Sequence, residues 1–113
     1  MKTVTLDIFG KTYMVRPDFR KMQAIENLTK KGTLEIAQDL SEGSFRTTDI
    51  VSVIFCMVPD AKKSMNEVGD EVMGNVTKYI NAVAEFCVAC NFGSEELAND
   101  PVESEAGGSE KND

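Results

Sequence analysis

Nine residues near the middle of the chain, "IVSVIFCMV" from Ile50 to Val58, contain a single polar side chain. Such a run has no solvent face, so it must lie at the centre with the other elements arranged around it. Its length and branched side chains suit a buried strand. The "TTD" cluster at 47–49, able to cap a helix, and Pro59, able to stop one, favour a central helix instead.

The flanking segments supply the cover. Residues 3–9, "TVTLDIF", alternate, with Val4, Leu6 and Ile8 on one side and Thr3, Thr5 and Asp7 on the other. "TYMVR" alternates again beyond Gly10-Lys11, which predicts a short β-hairpin turning at that pair. Two strands alone are marginal in water, so the hairpin must pack on helices. Asp18 is placed to cap a helix reaching Thr29, with Phe19, Met22, Ile25 and Leu28 inward. Thr33 is read as the cap of a second helix, Leu34 to Leu40, closed by Gly43. Ser64 and Glu67 form an S-x-x-E capping box before a short helix with Met65, Val68 and Val72 inward, ended by Gly74-Asn75. Asn75 then caps a last helix, Val76 to Asn91. The expected fold is mainly α (α+β): one domain over residues 1–92, an N-terminal hairpin and four to five short helices.

From Gly93 the character changes. Residues 93–113 hold seven acidic residues and one lysine, so nearly all of the chain's net charge of −7 belongs there. With no apolar period, the segment is expected to be a disordered acidic tail, either solubilising or an arm for a basic partner. The remainder is almost neutral and has no basic patch with interleaved aromatics, which argues against nucleic-acid binding. No apolar run approaches the ~20 residues that span a bilayer, and no signal-peptide pattern is present. Three cysteines do not suggest a disulfide framework, so a cytoplasmic setting is the simpler expectation.

Candidate chemistry is sparse. Cys87 and Cys90 form C-x-x-C, but both fall on the stripe Val76, Tyr79, Ile80, Val83, Phe86, Cys87, Cys90 that the last helix needs for its core. Zinc would require further ligands, and the chain has no histidine and only one other cysteine, Cys56. A redox C-x-x-C sits at a helix N-terminus, where the dipole lowers the thiol pKa; this one lies at the opposite end. Without histidine there is no Ser-His or Cys-His machinery, and the scattered glycines form no phosphate loop. Asp70 and Glu71 are helix neighbours that point apart. No enzyme activity, metal or cofactor is therefore expected. Met57 and Met65 are read as core.

The surplus is apolar surface. Val88 and Phe92 fall outside the last helix's stripe, beside Thr77, Asn81 and Glu85, which makes them the first candidates for a partner-binding face. The central helix around Val53 and Met57 is the second candidate. Coverage by the hairpin and the short helices is the alternative to both.

The order of motifs adds a further reading. "G-K-T-Y-M-V-R" leads into "DFRKMQAIENLTKKG", then "TLEIAQDLSEG", "TTDIVSVIF", "S-M-N-E-V-G-D-E-V", a long helix and a polar tail. Over residues 4–92 this resembles the small tail assembly chaperones of long-tailed phages and gene transfer agents. There a "G-x-x-Y-x-L-R" strand precedes an "a-l-E-x-x-x-G" helix, followed by "t-x-x-D-I-V" and "E-V-G" helices. The pattern departs between Met57 and Ser64, where "PDAKK" replaces a longer, Gly-containing loop. The resemblance implies a helical, non-catalytic protein that binds the tape-measure protein and recruits tail-tube subunits, with homo-oligomers possible. Its alternative is a structural minor tail or tail-tube protein retained in the particle.

Overall fold

The structure, a computed structural model, describes residues 3–99, with side-chain environments for residues 3–92. Strands β1 (Val4–Ile8) and β2 (Lys11–Val15) pair antiparallel in the register Val4↔Val15 to Ile8↔Lys11. The turn is Phe9-Gly10, one residue earlier than the sequence suggested. Phe9 has φ 56° and Gly10 φ 73°. Two positive φ values make a type I′ turn, whose twist matches that of the strands. Gly10 adopts its angle without a Cβ penalty, whereas a phenylalanine there is unusual. The half-buried Phe9 ring lies 5.2 Å from Lys63 Nζ, a cation–π contact across the fold. Val4, Leu6, Ile8 and Val15 are buried, and β1 packs against the last helix, α5 (Val76–Asn99).

Helix α1 (Phe19–Thr29) starts where Asp18 predicts: its side chain accepts from Lys21 N at 2.7 Å and from Lys21 Nζ at 2.9 Å. The backbone bond first, then the Lys21 ammonium, holds the Asp18 carboxyl below its ordinary value. The expected inward stripe is only partly right. Ile25 is buried and Met22 half-buried, but Phe19 is 69% exposed and Leu28 46% exposed. Residues nine apart lie about 180° from one another on a helix, so Phe19 and Leu28 cannot share a face. Thr29 takes the vacated inward position and donates to Ile25 O.

Helix α2 (Thr33–Glu42) has Gly32, not Thr33, as N-cap. Thr33 is buried, and its Oγ1 accepts from Asn91 Nδ2 at 2.7 Å, fastening α2 to α5. Gly43 (φ 76°) ends α2 in a Schellman motif, with Gly43 N donating to Leu40 O and Ser44 N to Asp39 O.

The apolar run forms helix α3 (Thr47–Met57). A 3₁₀ turn at Pro59–Ala61 leads to α4 (Met65–Met73), whose Ser64–Glu67 capping box is complete. The long helix α5 runs Val76–Asn99, passing the expected stop at Asn91. Ser94 to Ala98 are acceptable helix formers once the helix is nucleated. Of the tail expected to be disordered, 93–99 thus have a helical backbone, and 100–113 lie outside the described residues.

The core is one cluster. Ile50, Val53, Ile54 and Met57 of α3 meet Tyr79, Val83, Phe86 and Cys87 of α5, with the hairpin, Ile25, Ile36 and Val72 around them. Tyr79 keeps its hydroxyl satisfied by donating to Glu71 Oε2 at 2.7 Å. Among the described residues no helix is long and apolar enough to cross a membrane.

Candidate partner-binding groove

Cys87 and Cys90 lie where the stripe placed them, and Cys56 lies within α3. Cys87 and Cys56 are buried and Cys90 half-buried. Burial pushes the Cys56 and Cys90 thiols up to about 11 and Cys87 up to about 12. Reactive cysteines have depressed values, so at neutral pH these act as small apolar groups. Among the described residues no cluster of His, Cys, Asp and Glu has the makings of a metal site.

A charged cluster that sequence reading missed joins the ends of three helices. Asp49, 3% exposed, accepts from Arg46 through both oxygens (Nη2 to Oδ1 2.8 Å, Nε to Oδ2 3.2 Å) and from Lys31 Nζ (3.2 Å). Lys31 also reaches Asp39 of α2 at 2.8 Å, and Arg46 reaches Thr29 O at the end of α1. Asp39 first, then Asp49, raises the Lys31 ammonium above its ordinary value; Asp49 does the same for Arg46. Every strong donor is paired, and the cluster locks the α1, α2 and α3 termini together rather than presenting a ligand site. The "TTD" stretch is thus no side-chain cap: Arg46 is the N-cap residue and Asp49 faces inward.

The candidate binding residues divide. Phe92 is 47% exposed and Val88 half-buried, on either side of the Asn91–Thr33 tie in the sequence of α5. Val53 and Met57 are not surface at all: they are 0% and 2% exposed. Helix α3 packs on α4, α1 and α5, and Val53 and Met57 fall on lines that these neighbours close. What it leaves open is the line Thr48, Ser52, Phe55.

That line forms the floor of a groove. Helix α1 is one bank and α4 the other. Toward the start of α3, an open cavity of about 630 Å³ is lined by Leu28, Val51, Ser52, Met65, Gly69 and Met73. One helical turn further, a second of about 480 Å³ is lined by Ala24, Phe55, Val58, Pro59 and Val68. Leu28 and Met73 stand exposed on opposite banks. Gly69 leaves its stretch of the α4 bank bare: a Cβ there would meet only Val51 Cγ1, at 3.8 Å. The faint signals in the sequence were Gly69 in a helix interior, where glycine costs about 1 kcal/mol relative to alanine, and Ser52 as the one polar residue of the apolar run. Met65, expected in the core, is half-buried at the groove.

No family model, curated protein or solved structure matches the chain. What it does has to be read from its own surfaces.

Proposed function

We propose that this protein is a non-catalytic assembly chaperone that holds an apolar helical segment of a larger partner. The observation that supports it most directly is the groove over α3: concave, floored by a packed core helix, and walled by exposed leucine and methionine. Apolar grooves between helices accept amphipathic helices, and methionine-rich walls adapt to the partner's side chains. The order of motifs over residues 4–92 suggests the partner's class: the long helical tape-measure protein of a phage, prophage or gene transfer agent tail, kept soluble in the cytoplasm of the producing cell, with tail-tube subunits recruited afterwards.

Co-expression with a tape-measure protein of such a tail tests the reading. A soluble complex of the two, together with absence of this chain from purified particles by mass spectrometry, is the expected result. No complex, with the chain retained in particles, would favour a structural tail protein.

A further inference from the structure

The groove is electrically polarised along its length. At the end near Phe55 and Pro59, Arg20 and Lys21 stand on the α1 bank and Lys63 on the other, against the single carboxylate Asp18. At the end near Leu28 and Met73, the one charged lining residue is Asp70, on the α4 bank. The cationic end therefore carries a local excess of two positive charges, and the far end one negative charge. Between them the floor is apolar or neutral: Val51, Ser52, Phe55. The floor follows α3 from Thr47 to Met57, about 15 Å at 1.5 Å per residue, and continues to Pro59. That length matches roughly three turns of a bound helix, whose anchors would fall at i, i+4 and i+7.

We infer that the groove takes a short amphipathic helix in one direction only, with its carboxylate-bearing end over Arg20, Lys21 and Lys63 and its apolar stripe over Ser52 and Gly69. The inference rests on the chaperone reading and adds the partner segment's chemistry and polarity. Opposite charges fix register and exclude the reversed orientation, because reversal would set carboxylates beside Asp70 and leave Arg20 and Lys63 without a carboxylate, Lys21 being already paired with Asp18. Gly69 has a defined place in this arrangement: a bare patch of bank lets the bound helix approach α4 closely.

The probes are three synthetic helical peptides sharing one leucine stripe and differing only at one end, which carries glutamates, lysines or neutral residues. Binding to the full chain is followed by fluorescence anisotropy. The glutamate-ended peptide is expected to bind at least tenfold tighter than the lysine-ended one, with the preference shrinking at high salt. In the double variant Arg20→Glu, Lys63→Glu the order should reverse. Gly69→Leu should weaken all three peptides by tenfold or more while the circular-dichroism melt stays intact, since leucine is the better helix former. Equal binding of the three peptides, or normal binding to Gly69→Leu, would overturn the inference. Displacement of the glutamate-ended peptide by a peptide of residues 101–113 would do so too, by making the chain's own acidic segment the occupant. A dimer lost in Gly69→Leu would assign the groove to a second copy instead. Capture of the tape-measure protein separates this inference from the function it rests on. Peptides that bind as expected while capture fails would sink the partner assignment and leave the groove. Capture that survives Gly69→Leu would keep the function and move its site away from the groove.

Discussion

Helices α3 and α5 form the core together, yet they are covered in opposite ways. Helix α5 has one apolar stripe and spends it inward: Tyr79, Val83, Phe86 and Cys87 are all buried, and its outer side stays polar except for Val88 and Phe92. Helix α3 is apolar nearly all round, buries Ile50, Val53, Ile54 and Met57 among its neighbours α4, α1 and α5, and is left open along Thr48, Ser52 and Phe55. An apolar helix at the centre of a small domain need not expose its most apolar residues. It exposes whichever line its neighbours fail to close, and here that line lies between α1 and α4.

The sharpest way to break this contrast is to cut each helix on its two sides. Phe86→Ala removes a fully buried ring and should cost about 3–5 kcal/mol, read as a large fall in the denaturation midpoint. Ser52→Ala, on the open line of α3, should stay within about 0.5 kcal/mol. A comparable loss from Ser52→Ala would show that the groove is closed.

Next in size is the cluster that fixes α3 among its neighbours. Asp49→Ala strips Arg46 of its carboxylate and Lys31 of one of two, and should cost about 2–3 kcal/mol. Asp39→Ala, which leaves Lys31 bound to Asp49, should cost less. If both variants melt with the parent, the cluster is ornament and α3 is held by packing alone.

A smaller effect distinguishes the cysteines of the two helices. Cys87→Ala should cost on the order of 1 kcal/mol through lost packing, and native thiol labelling should be slow at all three positions. The folded thiols titrate at about 11 to 12 against an ordinary 9.0, so the folded state holds its protons longer than the unfolded chain. The stability they give is full below pH 9 and drains away as pH rises through the folded values. Thermal midpoints should therefore fall between pH 8 and pH 11, and less steeply in Cys87→Ala. Rapid labelling of Cys87 at neutral pH would contradict the packing.

The smallest effect is expected at Phe92. Phe92→Ser should change stability by no more than about 0.5 kcal/mol, because the ring is half exposed. Should it abolish partner capture where Gly69→Leu does not, the binding face belongs to α5 and the contrast drawn above points to the wrong helix.

What the sequence disclosed was mostly local. Asp18 as cap, the Ser64–Glu67 box, the strand alternation and the α5 stripe depend on residues within four positions of each other, and all four occur as expected. What it hid depends on distant partners. Asp49 looked like a cap because nothing in the linear order shows Lys31 and Arg46 converging on it. Thr33 looked like a cap because Asn91, its partner, lies in the last helix. Met57 reads both as core, where it lies, and with Val53 as a second candidate face, because an all-apolar helix carries no phase to decide between them. Phe19 and Leu28 were joined by counting threes, an error that grows by about 60° at each step.

The tie between β1 and α5 sets an order of events. The apolar face of Val4, Leu6 and Ile8 is among the first parts of these elements to leave a ribosome, and the helix that covers it is the last. The groove's own floor meets the same delay, since α3 closes on α5. Until Phe86 is available, the nascent hairpin and α3 lack the helix that completes their core, and the domain closes only once α5 has been made. A protein that shelters another's unassembled helix would, for that interval, be in need of shelter itself.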